Sequence, residues 1–375
     1  MATASTAGKI KSTSKEEKKK FWNNDMEAVI GIMVVLLILG TINVFSSSFI
    51  IAEAEFDSPY FFLKRHLINI AIGFVAFGIC FKFDYHKWRK LMPFILLFTL
   101  ISLVLVLFIG PVVNGARRWL PLMVAQFQPA EFAKLVSIMI MAAYLAMQVK
   151  ANREIKFFTA QIAIIGVMTF LTEQEPDMGT ATIILGIPLI MLVVAGLHWK
   201  KVLYLVGAAI LGVIALILRQ PYRLERLKVT YDPWSDAQNY GYQTVQSLSA
   251  IGSGELTGMG LLNGNQTQLG YLSPKTTDFI YSVIGEEFGF IMCSFIVIIF
   301  VLLLTKCINV AKNAEDNLGS YIVMGLTGVL FFHVLENIGM TMGLLPITGV
   351  PLLFVSYGGS SMLTSFICIG LLLNI

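Results

Sequence analysis

The stretch RQPYRLERLKVTYDPWSDAQNYGYQTVQSLSAIGSGELTGMGLLNGNQTQLGYLSPKTTDFIYSVIGEEFGF, residues 219–290, decides how this chain is read. It is the only long polar segment set among apolar runs. Its basic, glycine- and amide-rich first part ends at Thr276, Thr277 and Asp278, where hydrophobicity resumes. A carboxylate placed where a polar loop enters an apolar span is costly unless hydrated or paired, which makes it a candidate for function. Asp278 is therefore the first residue to follow.

Around that loop, 56% of the 375 residues are hydrophobic and 13% charged, a balance that fits a polytopic membrane protein and excludes a soluble domain. A helix needs roughly 20 apolar residues to cross the hydrocarbon. On that criterion ten spans are predicted, at 28–51, 65–81, 91–110, 129–148, 157–173, 178–197, 201–218, 278–305, 319–343 and 350–374. The expected architecture is an all-α polytopic membrane protein: one domain over 26–375, with ten transmembrane helices and a large extracellular loop, 219–276, between helices seven and eight. Residues 1–25, with six lysines, read as a disordered polar cytoplasmic tail. The apolar run that follows is too long for a signal-peptide core and is taken as an uncleaved first helix. Cys80, Cys293, Cys307 and Cys368 lie in apolar segments and read as buried, reduced thiols. No cysteine or histidine spacing suits a metal.

Lysine and arginine in the short loops assign the two sides. Seventeen fall on the side of the N-terminal tail, and four, Lys64, Arg65, Arg117 and Arg118, on the other. Both termini are thus expected in the cytoplasm, with the long loop facing outward. Arg219, Arg223, Arg226, Lys228 and Lys275 of that loop break the inside preference and need another use.

In NGARRWLPLMVAQFQPAEFAK, 114–134, Arg117 and Arg118 beside Trp119 suit an interfacial anchor and equally a clamp on phosphate oxygens. Glu131 and Lys134, three apart on one helical face, are expected to neutralise each other, with Pro129 starting their helix. In EQEPDMGTA, 173–181, Asp177 reads as a helix cap, with a site at the outer mouth as the alternative, and Glu173 and Glu175 read as solvated. Glu286 and Glu287 lie roughly 12–14 Å beyond Asp278 along a helix and need partners, for which a cation from a neighbouring span is the simplest source. His333 and Glu336 read as a buried hydrogen-bonded pair. The prolines and glycines of GLLPITGVPLLFVSYGGSS, 343–361, interrupt an apolar run as backbone lining a cavity does. Taken alone, Thr276-Thr277-Asp278 also suits a cap on span eight.

Six blocks in order carry a resemblance: GARRW (115–119), QPAEFAKL (128–135), EPDMGTA (175–181), GYQTVQSLSAIGSG (241–254), TDFIYSVIGEEFGF (277–290) and GLLPITGVPLLFVSYGGSS (343–361). With them the chain, outside its tail, resembles the SEDS family of shape, elongation, division and sporulation proteins, which includes RodA, FtsW and SpoVE. The resemblance implies a peptidoglycan glycosyltransferase that polymerises lipid II at the outer membrane face beside a class B penicillin-binding protein, a transpeptidase. Its substrates would be lipid II and the undecaprenyl-pyrophosphate-linked glycan, their tails lying in a groove between spans, with no nucleic acid involved. Asp278 corresponds to the essential aspartate of the family's TDF motif, so a general base replaces the cap reading. Arg117, Arg118 and Lys134 are the candidates to stabilise the departing pyrophosphate, some of the loop arginines are possible as well, and Trp119, Glu131, Glu287 and Ser356 are in support. No cofactor or metal ligand is assigned, and a divalent cation stays open.

The family's usual PEAHTDF is SPKTTDF here, which brings in Lys275 and Thr276. GEL, with Glu255, replaces GGL after a glycine, LLF replaces LPF, and Glu336 stands at a usually neutral position. NGNQTQL at 263–269 is closer to the RodA branch, of cell elongation and shape, and DPW at 232–234 to FtsW, of division; the first is preferred. Two other classes also fit ten spans with intramembrane charges, a lipid II flippase (a transporter) and a non-catalytic scaffold for the penicillin-binding protein. Polar chemistry gathered at one face instead of the midplane weighs against the flippase.

Overall fold

The computed structural model describes residues 3–375 except 114, 122–125, 157–158, 219–220 and 274. Arg219 of the long loop thus lies outside the described residues. In chain order the helices are α1 (Thr3–Phe56), α2 (Phe61–Lys82), α3 (Tyr85–Ile109), α4 (Pro129–Lys150), α5 (Ala160–Gln174), α6 (Met178–Val194), α7 (Trp199–Leu218), α8 (Pro221–Tyr231), α9 (Tyr242–Ser253), α10 (Asn265–Gln268), α11 (Ile280–Asn313), α12 (Asn317–Thr341) and α13 (Gly359–Asn374). Two-residue strands β1 (Leu120–Pro121) and β2 (Gln126–Phe127) pair antiparallel before α4.

The apolar runs are helical because their backbone groups must be satisfied within the segment. Among the described residues, six helices are long and apolar enough to cross a membrane: Asn24–Phe56 of α1, together with α2, α3, α4, α11 and α12. Helices α6 and α13 are apolar but shorter. The chain is a nearly all-helical, polytopic membrane protein. The tail does not read out as disorder: its backbone continues α1 from Thr3. Lysine- and glutamate-rich sequence propagates a helix readily once a neighbouring span supplies the nucleus.

Helix α12 lies at the centre, packed by α4, α6 and α11, while α13 runs along α2. The α2–α13 pair is parallel: Asn69 lies level with Gly359, and Asn374 Nδ2 donates to Phe81 O at 2.7 Å. All four cysteines are buried free thiols.

One span boundary is corrected. The final span does not begin at 350, because α13 starts at Gly359 and residues 343–358 carry no regular helix. Gly343, Gly349 and Phe354 take positive φ, and Pro351 removes an N–H donor, so helix cannot run through. The long polar stretch, expected as a loop, carries short helices of its own between α7 and α11: α8, α9 and α10.

That stretch is clipped into α11 at a break. Gly289 has φ +73°, and a Cβ there would lie 2.4 Å from Gly258 N. Phe290 N donates to Glu255 O, and Ile291 N to Leu256 O; Met259 N and Gly260 N donate to Glu286 O and Glu287 O. The loop backbone thus replaces helical partners that the break removes. Gly289→Ala combines a steric overlap with a strained backbone and is expected to cost about 3 kcal/mol. The readout is a lower unfolding temperature in detergent, with faster proteolysis at 255–260.

Candidate functional site

The polar groups converge where the α3–α4 connection, the α5–α6 turn, α8, the start of α11 and residues 343–358 meet. Asp278 precedes α11, and it does not cap it: the N-cap is Phe279, with no side-chain cap bond. Its carboxylate is therefore not committed to the helix.

Three successive carbonyls fix the backbone beneath that carboxylate. Thr276 O accepts from Tyr357 N at 2.9 Å, Thr277 O from Ser356 Oγ at 2.7 Å, and Asp278 O from Asn337 Nδ2 at 2.9 Å. Ser356 Oγ also accepts from Leu352 N at 2.9 Å, and Asn337 Nδ2 also donates to Val350 O at 2.8 Å. The irregular segment and the candidate base are thus held by the same side chains.

Arg118 reaches the site from the α3–α4 connection. Its Nε donates to Glu175 O at 3.3 Å and its Nη2 to Pro176 O. Between Arg118 and Asp278 lies Gly349, with φ +76°. A Cβ there would stand 3.4 Å from Asp278 Oδ2 and 3.9 Å from Arg118 Nη1. The missing side chain leaves a gap bounded by a carboxylate oxygen and a guanidinium nitrogen. Arg226 of α8, whose Nη1 donates to Ile347 O at 3.2 Å, adds a second positive charge. Burial lifts the Asp278 carboxyl to about 6, against the Thr277 hydrogen bond and the Arg118 and Arg226 charges, with Asp177 adding to the rise.

The other cations named from the sequence sit elsewhere. Arg117 is exposed, and its Nη1 donates to Leu107 O at 3.3 Å and Phe108 O at 2.8 Å, closing the C-terminal turn of α3. Trp119 beside it is half-buried. Lys134 is fully buried in α4, its Nζ 2.8 Å from Glu131 Oε1 and 2.7 Å from His333 Nε2. His333 Nδ1 lies 2.9 Å from Pro351 O. With an ammonium on one side and a carbonyl on the other, the ring is a neutral tautomer protonated at Nδ1. The Glu131–Lys134 pair forms as expected, but His333 bonds to Lys134 and Pro351 in place of Glu336.

Glu286 and Glu287 also find other partners than a spanning cation. Glu286 accepts from Gln266 N, Thr267 N and Thr267 Oγ1; Glu287 accepts from Ser46 Oγ, Leu262 N and Gln268 Nε2. Lys275, buried, donates to Thr267 O and faces both carboxylates electrostatically. A polar loop tip is thereby moored to α11, with amide donors standing in for a salt bridge.

Asp177 caps α6, accepting from Thr180 N at 3.2 Å, and also accepts from Gln128 Nε2 at 3.0 Å. Glu173 and Glu175 are not solvated. Glu173 pairs with Arg223 of α8 at 2.6 Å, both buried, because the loop folds back over the turn. Glu175 is wholly buried with neither oxygen hydrogen-bonded, and burial, reinforced by Asp177 and opposed by Arg118, pushes it to about 9. The folded chain then holds a proton that an unfolded glutamate releases near its ordinary value. Stability should fall as pH rises from that value towards 9. Glu175→Gln is expected to flatten this decline in unfolding temperature between pH 6 and 9, measured in detergent.

Arg226 is one of the loop cations that breach the charge-sidedness rule, whereas Asn337 and Gly349 carry no signal in the sequence and become visible only through tertiary contacts. Among the described residues, no group of three His, Cys, Asp or Glu side chains is arranged to hold a metal ion. An apolar groove of about 310 Å³ runs between α5, α6 and α7, lined by Ile165, Thr169, Leu185, Leu189, Ala209 and Gly212, with Glu173 at one end.

The profile of the FtsW/RodA/SpoVE cell cycle protein family matches residues 26–375. The chain is 36% identical over 348 residues to Stage V sporulation protein E of Bacillus subtilis (strain 168), covering 92% of this chain and 94% of that one. It is 38% identical over 353 residues to the "Probable peptidoglycan glycosyltransferase FtsW" of Geobacter sp. (strain M18), covering 92% and 95%. Among solved structures, a chain from work on the coordination of polymerization and crosslinking by a peptidoglycan synthase complex superposes with TM-score 0.74 at 25% identity, covering 92% and 96%. The rod shape determining protein RodA of Thermus thermophilus superposes with TM-score 0.67 at 26% identity, covering 92% and 94%. With its own blocks, fold and relatives in agreement, this chain belongs to the FtsW/RodA/SpoVE family of cell cycle proteins.

Proposed function

We propose that the chain is a peptidoglycan glycosyltransferase that polymerises lipid II at the outer face of the cytoplasmic membrane. The observation that carries this reading is the gap at Gly349, bordered by Asp278 Oδ2 and Arg118 Nη1. The 4-hydroxyl oxygen of lipid II forms a bond to the anomeric carbon of the growing glycan. The bond from that carbon to its lipid pyrophosphate breaks, and the pyrophosphate leaves with the electron pair. Asp278 takes the hydroxyl proton as general base, and a carboxyl at about 6 is ionised at neutral pH yet basic enough for the task. Arg118 and Arg226 stabilise charge developing on the pyrophosphate.

Arg117 and Lys134 take supporting roles in this reading, because α3 carbonyls occupy the first and Glu131 with His333 the second. Ten spans, cytoplasmic termini and an outward 219–276 segment belong to this reading and are supported by the charge count and by the order of apolar helices. The groove along α5, α6 and α7 suits a lipid tail, since its Glu173 end adjoins the turn that holds Arg118. A class B penicillin-binding protein is the proposed partner, supported by the synthase complex to which the fold is similar.

The test is conversion of lipid II to glycan strands by the purified complex with the transpeptidase inhibited. Transport of labelled lipid II across vesicles without polymer would favour the flippase, and an intact complex with neither activity the scaffold. NGNQTQL at 263–269 supports an elongation role, whereas identities of 36% and 38% to the SpoVE and FtsW relatives support a sporulation or division role. Rescue of rod shape or of septation in depleted cells separates the two.

A further inference from the structure

The start of α13, which lies level with Asn69 about two turns into α2, is the centre of a second polar cluster that the proposed chemistry does not use. His66 of α2 is fully buried, and neither ring nitrogen has a hydrogen-bond partner. A buried imidazole without a partner is unusual enough to need a cause. Its ring lies 6.1 Å from that of Tyr357, directly ahead of α13. One turn along α2, Asn69 stands beside Gly359: a Cβ there would be 3.6 Å from Asn69 Oδ1 and 3.7 Å from its Nδ2. Because the two helices run parallel, their positive dipole ends face the same way. No side chain caps α13, whose N-cap is Gly358. Ser361 Oγ sits over Gly358, where a Cβ would lie 2.4 Å from it, so the α13 start is lined by the Ser361 hydroxyl and the Asn69 amide. Arg65, exposed at the rim with its guanidinium 4.5 Å over Phe61, places its positive charge beside Tyr357. Phe62 packs edge-on against Tyr357 at 5.6 Å, so the cluster is walled by aromatic rings.

We propose that His66, Asn69, Arg65 and the N-terminus of α13 form a second anion site, for a phosphate or pyrophosphate head on an apolar tail that enters from the membrane. Tyr357 N donates to Thr276 O, two residues before Asp278, whereas Arg118 approaches Asp278 across Gly349. The segment that carries the candidate base is therefore joined to the Tyr357 end of this cluster on one side and faced by Arg118 on the other. This inference rests on the glycosyltransferase reading, in which donor and acceptor each carry a lipid pyrophosphate and need separate sites.

The experiment is equilibrium binding of radiolabelled farnesyl pyrophosphate to the full chain in phosphatidylcholine nanodiscs, which needs no turnover. Wild type is expected to bind two equivalents. Arg118→Gln should remove one class of site. His66→Leu should weaken the other about tenfold or more, the loss expected for a hydrogen bond to a charged group. His66→Gln, which keeps a donor at that depth, should retain it, and Asn69→Ala should repeat the loss if His66→Leu is not recovered folded. Competition by phosphatidylglycerol assigns the site to phospholipid phosphate; its failure to compete assigns the site to a carrier pyrophosphate. One equivalent in wild type, or unchanged binding in both His66→Leu and Asn69→Ala, overturns the proposal.

Discussion

Asp278→Asn is expected to lower lipid II polymerisation about 10²–10⁴-fold while the chain folds and pairs with its partner as before. The side chain is isosteric, and the backbone beneath it is held by Tyr357 N, Ser356 Oγ and Asn337 Nδ2, none of which bonds the carboxylate. The variant therefore removes a proton acceptor and little else. In wild type the rate should fall as pH drops through about 6, since burial holds the carboxyl there and only the ionised form accepts a proton. Single-turnover polymerisation across pH 5–8, wild type beside the variant, measures both effects. Full activity in Asp278→Asn would remove the general base from the mechanism.

Arg118→Gln should cost about 10²–10³-fold in turnover, the usual size of loss for a fixed donor aimed at developing negative charge. Its Nε and Nη2 are spent on Glu175 O and Pro176 O, so the guanidinium is oriented before substrate arrives, with Nη1 beside Gly349. Arg118→Lys keeps the charge but loses this double anchorage, and should recover only part of the rate. Arg117→Gln, which only loosens the α3 terminus, should leave turnover within a few-fold of wild type. Equal losses at Arg117 and Arg118 would mean that both act on the integrity of the α3–α4 connection and neither on the leaving group.

Reading residues one by one succeeded where the physics is local. Pro129 starts α4 and Asp177 caps α6 because each acts within a turn of its own position. The Glu131–Lys134 pair was legible from its spacing, but its third member, His333, is 199 residues away and depends on where α12 packs. Glu173 and Glu175 looked solvated because a carboxylate in a short turn usually is. They are buried because α8 folds back over that turn and brings Arg223 with it. Residues 350–358 looked like span because hydropathy records composition alone, and positive φ at Gly349 and Phe354 is invisible to it.

Composition and residue order set the medium and the cast: apolar runs that must be helical in lipid, an asymmetric charge count, and an aspartate at the border of loop and span. Which cations meet that aspartate is a matter of packing. Arg117 and Arg118 are adjacent in the chain, yet one turns back to α3 and the other reaches Gly349, while Arg226 arrives from a helix more than a hundred residues later. A side chain's partners are set by competition among all the acceptors within its reach, and that set exists only once the helices are packed.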